Sequence, residues 1–242
     1  MKGVNTVLRY EKTELLYRNA LAAPADVREF VMEGDGAVTF PLGRMRLESM
    51  RDPGEGQAAN IVFWCPETFP DDVAISWSFW PVRDPGLAIL FFAASGRNGE
   101  HVLDRALAPR SGPYEQYHHG DINAYHVSYF RRMYASERRF QTCNLRKSYG
   151  FHLVAQGADP IPHLSDCDPP YRIEVAKLGK HVSFAIDGLP IFHYVDDGEH
   201  GPPLGAGSVG FRQMAPLIAE YADMQIHGIR GEAACGEEED ER

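Results

Sequence analysis

The sequence predicts an all-β protein, and three observations support this. Short segments of alternating apolar and polar residues recur along the 242-residue chain, and few windows show the 3.6-residue period of a long helix. The 23 glycines and 17 prolines indicate many turns. Hydrophobic residues make up 44% of the chain, which is enough for a large core.

The first half of the chain contains a series of short predicted strands and then two stronger ones. The short segments are VLRY, ELLYRN, REFVME, AVTFPL, RMRLES and NIVFW. In VAISWSFW, Val73, Ile75, Trp77 and Phe79 share one face, which predicts a half-buried strand. The segment GLAILFFAA is apolar on both faces and is therefore expected to be a central strand.

The second half continues with AYHVSYFRR, QTCNLRK and GFHLVA, and then with the clearest hairpin of the chain. In that hairpin YRIEVAK and HVSFAIDG alternate with period two, and Asp187-Gly188 predicts a type I′ turn into LPIFHY. SVGFR and AEYADMQIHGI complete the series. About fifteen strands close only as two packed sheets or a barrel.

One domain is expected over residues 1–231, followed by an acidic, disordered tail at residues 232–242. Cys65, Cys143, Cys167 and Cys235 show no metal-binding spacing, and no apolar signal region precedes Asn5, so free thiols in a cytoplasmic protein are expected. No apolar run is long enough for a membrane span.

Function is expected in the segment from Tyr117 to Lys147, which holds three histidines, five arginines and four tyrosines. Its basic residues are Arg131, Arg132, Arg138, Arg139, Arg146 and Lys147. A locally cationic segment in a chain of net charge −10 indicates an anionic ligand. The overall negative charge and the acidic tail argue against nucleic acid. A small anion in a cleft, such as a sugar carboxylate, fits better.

Alternation divides the strand at 124–132 into two faces. Tyr125, Val127, Tyr129 and Arg131 share one face, and His126, Ser128, Phe130 and Arg132 share the other. Only one set can line a groove, and the sequence leaves open which one. His118, His119 and Asp121 carry groups that suit a divalent ion, but their spacing is not a recognised ligand set, and Gly120-Asp121 favours an ordinary turn with the two histidines pointing to opposite sides. No metal or other cofactor is predicted.

A family resemblance adds to this interpretation. The segments DDVAISWSFWPVRDPGLAILFFAASG, YHHGDINAYHVSYFRR and NLRKSYGFHLVAQGADPIP resemble the YesU-like bacterial family of unknown function (domain of unknown function 1961) over roughly residues 14–229. The resemblance implies a concanavalin A-like jelly roll of two antiparallel sheets with a saccharide in its concave face, and a setting of pectin and rhamnogalacturonan utilisation. A structural calcium ion stays possible in such a fold. A monomer or a homodimer is expected.

The favoured hypothesis is β-elimination on an acidic, pectin-type oligosaccharide. This reaction needs groups that neutralise a carboxylate, a base and an acid. Arg131, Asn144 and Arg146 are candidates for the carboxylate, His126 or His119 for the base, and Tyr125 or Tyr129 for the acid. Asp121 is a further candidate for contact with the sugar.

Two alternatives remain open. A glycoside hydrolase needs paired carboxylates, but the ExDxE spacing is absent and only Glu67, Asp121 and Glu174 are candidates, with Glu67 expected in a loop. A non-catalytic binding protein would stack Trp80, Tyr125 and Tyr129 on sugar rings and use its arginines to select acidic sugars. Lyase chemistry is favoured over hydrolysis, and whether the chain is an enzyme at all stays open.

Overall fold

The computed structural model describes residues 8–231 and confirms the all-β prediction. Among these residues it contains fifteen strands. They are β1 (Tyr10–Asn19), β2 (Val31–Glu33), β3 (Gly36–Thr39), β4 (Met45–Ser49), β5 (Ile61–Phe69), β6 (Val73–Arg83), β7 (Leu87–Gly96), β8 (Ile122–Tyr129), β9 (Thr142–Ser148), β10 (His152–Ala158), β11 (Tyr171–Leu178), β12 (His181–Ile186), β13 (Leu189–Val195), β14 (Gly207–Met214) and β15 (Ile218–Gly231).

In the part of the chain that the structure describes, helical structure is limited to short connections. Two α-helices, α1 (Glu115–His118) and α2 (Ala135–Phe140), flank β8. Four 3₁₀ turns lie at Pro24–Val27, Pro41–Gly43, Pro53–Ala59 and Leu164–Asp166. No helix within residues 8–231 is long and apolar enough to cross a membrane. The predicted tail at 232–242, with Cys235, lies outside the described residues.

The strands form two antiparallel sheets packed face to face. The seven-stranded sheet, called here the front sheet, has the order β10-β9-β8-β7-β14-β5-β2. The eight-stranded sheet, the back sheet, has the order β13-β12-β11-β6-β15-β4-β3, with β1 paired to β15. Two packed sheets bury alternate residues of every strand between them, which is why period-two patterns dominate this sequence.

The core lies between the sheets and is rich in aromatic side chains. Trp77 and Phe79 of β6 project from the back sheet and meet Tyr129 and Phe211 of the front sheet. The predicted hairpin is present: Asp187 and Gly188 have φ angles of 50° and 76°, the left-handed pair that a type I′ turn requires.

Two local predictions were wrong. The strand predicted at 124–132 ends at Tyr129, because Phe130 takes a left-handed φ of 46° and Arg132 N–H then bonds Gly86 C=O at 2.7 Å outside the ladder. Glu67, expected in a loop, lies within β5, because the proline next to it is compatible with the strand. Its side chain is exposed.

The outer face of the front sheet is largely covered by residues 97–121. A second apolar cluster joins Val62, Trp64 and Phe91 of the sheet to Val102 and Tyr117 of this segment. Gly112 permits the close approach, because a Cβ there would lie 2.0 Å from the Asn60 carbonyl oxygen. The covering segment leaves one end of the outer face open.

Candidate functional site

A pocket of about 370 Å³ occupies the open end of the front sheet's outer face. Alternation places its floor residues: side chains on β7, β8, β9 and β14 that do not face the core lie on the outer face, and those beyond the covering segment line the pocket. The floor comprises Leu87, Ile89, Ser128, Asn144, Arg146 and Met214. The walls comprise Gln57, Tyr114, Arg131, Tyr134, Ser136, Glu137 and Phe151. The pocket thus combines an apolar base with several polar groups, as small-molecule sites do.

Arg146 is the prominent cation of the pocket. Its guanidinium stacks on the Phe151 ring at 3.7 Å and donates to the Phe151 carbonyl oxygen at 2.9 Å. Within residues 8–231 it forms no ion pair with a carboxylate. Partial burial lowers the pKa of Arg146, but a guanidinium keeps its charge in proteins. The remaining N–H groups are free to bind an anion.

Arg131 and Asn144 stand beside Arg146 and are already ordered. Arg131 bonds Glu137 at 2.6 Å and the Thr142 hydroxyl at 2.7 Å. With the Asn144 amide turned so that its oxygen faces Arg131, the orientation that satisfies both of its polar atoms, this oxygen accepts from Arg131 Nη1 at 3.1 Å. Glu137 also accepts from the Tyr134 N–H at 3.0 Å and so caps α2. These bonds hold the polar wall in one geometry.

A second cation lies beneath the pocket. Arg212 of β14 is 0% exposed, its guanidinium lies 4.6 Å from the Tyr114 ring and 5.1 Å from the Tyr117 ring, and it donates to the Gly112 carbonyl oxygen at 2.6 Å. It makes no ion pair with any carboxylate of the described segment. A buried charge without a counter-ion acts strongly on its surroundings, because little water screens it. Arg212 therefore raises the potential of the pocket.

Tyr114 connects the pocket to His126. The Tyr114 hydroxyl lies 3.0 Å from Nδ1 of His126, whose Nε2 lies 2.9 Å from the Ser148 hydroxyl. Burial lowers the pKa of His126 well below its ordinary value, so the ring is neutral. The Ser148 hydroxyl lies within bonding distance of two carbonyl oxygens. It therefore accepts from Nε2–H, which leaves Nδ1 to accept from the Tyr114 hydroxyl.

His126 is thus on the pocket side of its strand but does not reach the pocket. It is 1% exposed and lies behind Tyr114. Burial raises the pKa of Tyr114 to about 12, although the charge of Arg212 opposes the shift. Tyr114, and not His126, presents a proton carrier to a ligand.

Tyr125 and Tyr129 do not belong to the site. Both point into the core between the sheets and are 0% exposed, because they lie on the face of β8 opposite His126 and Ser128. The Tyr125 hydroxyl bonds Asp196, and the Tyr129 hydroxyl accepts from Trp77 Nε1 at 3.1 Å. The expectation that either acts on a ligand is corrected by this placement.

Arg131 reaches the pocket although alternation put it on the face of Tyr125. The left-handed turn at Phe130 breaks the alternation and redirects Arg131 outward. Arg132 instead turns inward, where it is 0% exposed and pairs with Asp159 at 3.1 Å.

Three other predicted contact residues lie away from the pocket. Trp80 is on the outer face of the back sheet, with the Arg44 guanidinium 4.3 Å from its ring. His119 packs against Tyr149, and Asp121 accepts from the Ala108 N–H at 2.8 Å. His118 and His119 contact each other and do not point to opposite sides, because α1 is helical up to His118.

The local excess of positive charge is smaller than predicted. Lys147 pairs with Asp196 at 2.7 Å, and Arg131 and Arg132 pair with Glu137 and Asp159 as described. These acidic partners come from other parts of the chain or from α2. Arg146 and the buried Arg212 supply the unpaired positive charge of the pocket.

The carboxylates proposed for hydrolysis do not meet. Glu174 bonds Tyr10 at 2.6 Å at the back sheet, Glu67 is exposed on β5, and Asp121 lies beyond α1. Glu137 is the carboxylate among the pocket's lining residues. Within residues 8–231 no three His, Cys, Asp or Glu side chains are arranged to hold a metal ion.

Most residues of the site were not identified from sequence, and Gln57, Tyr114, Tyr134 and Arg212 are among them. Gln57 and Tyr114 come from segments distant along the chain, and no local pattern marks them. Arg212 had a signal, since an arginine at an outer position of the apolar strand SVGFR is unusual in a fully buried strand.

Comparison with solved structures agrees with this architecture. The carbohydrate recognition domain of Emp47p superposes with a TM-score of 0.57 at 14% identity, over 88% of this chain and 95% of that chain. At that identity the likeness concerns the fold alone. A Bacillus subtilis protein of unknown function with a galectin-like fold superposes with a TM-score of 0.87 at 50% identity, over 91% of this chain and 98% of that one.

The sequence comparisons show a closer relationship. Uncharacterized protein YesU of Bacillus subtilis (strain 168) is 51% identical over 219 residues, which cover 90% of this chain and 97% of YesU. The model of the domain of unknown function DUF1961 matches residues 14–226. Because this match spans most of the sequence and of both sheets, the chain belongs to the DUF1961 family.

Proposed function

We propose that the pocket on the front sheet binds an acidic saccharide. Arg146 carries the proposal: it is a partly buried guanidinium that has no carboxylate partner among residues 8–231 and is stacked on Phe151 at the pocket floor. A sugar carboxylate matches its free N–H groups, and Arg131 and Asn144 supply ordered polar neighbours.

The rest of the pocket suits a sugar ring. Leu87, Ile89 and Met214 form an apolar cluster with Tyr114, and this surface can receive the C–H face of a pyranose. Gln57, Ser128 and Ser136 offer groups that pair with hydroxyls. The carbohydrate recognition domain of Emp47p has a similar fold, which supports a saccharide as the ligand class by analogy.

The test is calorimetric titration with galacturonate oligosaccharides and neutral oligosaccharides of equal length. We expect binding of the acidic series only. Arg146→Ala should weaken it by about 2 kcal/mol or more, because truncating one partner of a desolvated charge pair is costly. Arg18→Ala, which removes an exposed arginine of β1, serves as the control. Equal binding of neutral sugars, or full affinity in Arg146→Ala, would contradict the proposal.

A second candidate function, β-elimination at the same site, is favoured by the bond between Tyr114 and His126. In this reaction the Tyr114 oxygen takes the proton from the carbon next to the carboxylate while its own proton passes to His126 Nδ1. The electron pair of the C–H bond forms the new C=C bond, and the bond to the glycosidic oxygen breaks. That oxygen takes a proton from water at the pocket mouth, and the hydroxide so formed is neutralised by the proton that His126 returns through Tyr114, which restores the neutral ring. The carboxylate bound by Arg146 stabilises the developing charge.

Lyase turnover is detected by the ultraviolet absorbance of the conjugated double bond, which hydrolysis does not create. We expect Tyr114→Phe to abolish the absorbance increase while acidic oligosaccharides still bind. Binding without any absorbance change in the unmodified protein would leave a binding function and exclude elimination on the substrates tested.

A further inference from the structure

A second polar cavity lies on the far side of α1 from the pocket. It has a volume of about 430 Å³ and is lined by Arg97, Asn98, Glu100, Ala106, Leu107 and Asp121. None of these residues lines the first pocket. Two of the predicted contact residues, His119 and Asp121, lie beside or in this cavity.

A continuous line of side chains joins the two cavities. We call it the ridge, and it consists of Phe151, His118, His119 and Tyr149. Ring centroids along it are separated by 4.6 Å from Phe151 to His118, 4.5 Å from His118 to His119, and 5.6 Å from His119 to Tyr149. Phe151 lines the pocket, and Arg97 of the second cavity lies 4.2 Å from the Tyr149 ring.

The ridge is both exposed and held in place. Tyr149 and Phe151 are 43% and 42% exposed, so both rings are accessible to a ligand. The Gly150 N–H between them donates to the His118 carbonyl oxygen at 2.6 Å, so the turn is fixed on α1. Ordered, exposed rings of this kind are surfaces on which sugar rings stack at little cost in conformational entropy.

The second cavity differs from the pocket in charge. It contains two carboxylates and one guanidinium, whereas the pocket contains unpaired positive charge. Asp121 and Glu100 each accept from a loop N–H, at 2.8 Å from Ala108 and 2.9 Å from Asn98, and keep further lone pairs. Carboxylates accept from sugar hydroxyls but repel a second carboxylate. The cavity therefore suits an uncharged sugar unit.

From this arrangement we propose that the ligand is an oligosaccharide whose acidic unit occupies the pocket, whose next units cross the ridge, and whose far, uncharged unit occupies the second cavity. The inference rests on the proposed function, because the pocket defines the acidic end. It adds that the ligand is several sugar units long and that its charge lies at the end bound in the pocket.

The test compares three probes: galacturonic acid, an oligogalacturonide of about four units, and an oligosaccharide of equal length in which uronate and neutral hexose alternate. The alternating probe should bind best, and the monomer should bind weakest. Tyr149→Ala should weaken binding of the alternating probe about five- to tenfold and leave binding of the monomer unchanged, since only the longer ligand reaches the ridge. Asp121→Asn keeps an acceptor for the Ala108 N–H but removes a negative charge from the second cavity. The affinity for the all-acidic probe should therefore approach the affinity for the alternating probe.

Two results would overturn the inference while the proposed function stands: equal affinity for the monomer and both longer probes, or a Tyr149→Ala effect that is the same on all three. If none of the probes binds the unmodified protein, the proposed function fails and this inference fails with it. Arg146→Ala, which should weaken all three probes, distinguishes loss of the pocket from loss of the ridge.

Discussion

The guanidinium carbon of Arg212 lies 4.6 Å from the ring centroid of Tyr114, so a buried cation supports the tyrosine that lines the pocket. The ring face stabilises the charge by a cation–π interaction, and the charge in turn acts on whatever binds on the other side of Tyr114. Burial lowers the pKa of Arg212, yet a guanidinium stays charged at neutral pH.

We predict that Arg212→Met weakens binding of acidic oligosaccharides and leaves binding of any neutral compound unchanged. The charge disappears, while an unbranched side chain of similar length keeps much of the packing. Loss of the donor to Gly112 C=O should also lower the free energy of unfolding by about 1–3 kcal/mol. Calorimetry and urea unfolding measure the two effects. Arg212→Lys, which keeps the charge, is the matched control, and equal affinity of the two variants would show that charge is not the cause.

A second prediction concerns pH and His126. Its pKa is lowered mainly by burial, and further by its neighbour His118 and by the guanidinium groups of Arg212 and Arg146. In the unfolded chain a histidine titrates near pH 6.5. Below that pH the unfolded state binds a proton that the folded state does not, so stability is present above about pH 6.5 and falls as the pH falls.

The variant His126→Gln should therefore lose less stability on acidification. Between about pH 7.5 and about pH 5.5 the drop in unfolding free energy should be about 1 kcal/mol smaller than in the unmodified protein. Urea unfolding at both pH values measures it. The same substitution at the exposed His163 is the control, and an unchanged drop in His126→Gln would show that this ring does not cause the acid sensitivity. The pKa of His118, lowered to about 4 mainly by burial, should add to the remaining drop in both proteins.

Much of the fold was predictable because its determinants are local. Alternation in VAISWSFW and in the hairpin at 171–194 identifies core faces, and the left-handed pair Asp187-Gly188 identifies a turn. These patterns depend on neighbours along the chain. The number of strands and the two-sheet class follow from them.

The site was less predictable because distant segments build it. Tyr114 reaches the pocket only when residues 97–121 fold over the front sheet, and Asp159 and Asp196 neutralise Arg132 and Lys147 across the tertiary structure. Alternation alone could not choose between the two faces of β8. The single left-handed residue Phe130 then reversed the expected direction of Arg131.

A third prediction separates the core tyrosines from the site. Tyr125→Phe and Tyr129→Phe should leave affinity for acidic oligosaccharides unchanged, because both hydroxyls lie between the sheets. Tyr125→Phe should cost more stability, about 1.5–3 kcal/mol, since its hydroxyl bonds the Asp196 carboxylate that also pairs with Lys147. Tyr129→Phe, which loses a bond from the neutral Trp77 N–H, should cost about 0.5–1.5 kcal/mol. Chemical unfolding and calorimetric titration of each variant test these expectations. Weaker binding of acidic oligosaccharides in either variant would show that the tyrosine hydroxyl contributes to the site.

The last prediction concerns the buried pair Arg132–Asp159, which anchors the segment that carries Arg131 and Glu137. Both side chains are 0% exposed and lie 3.1 Å apart, and Arg132 Nη2 also donates to the Ile161 carbonyl oxygen at 2.6 Å. The Asp159 N–H bonds Gln141 C=O at 2.7 Å, at the end of α2. The pair thus joins both ends of residues 130–141 to the loop after β10.

Asp159→Asn removes the negative charge and leaves Arg132 buried without its partner. We expect a loss of about 3–5 kcal/mol in unfolding free energy, together with faster hydrogen exchange in residues 130–141 and weaker binding of acidic oligosaccharides, because Arg131 is no longer held at the pocket wall. Asp166→Asn, at an exposed carboxylate of the Leu164–Asp166 turn, is the control. If Asp159→Asn instead lowered stability without affecting exchange at 130–141 or binding, the pair would support the core but not the pocket wall.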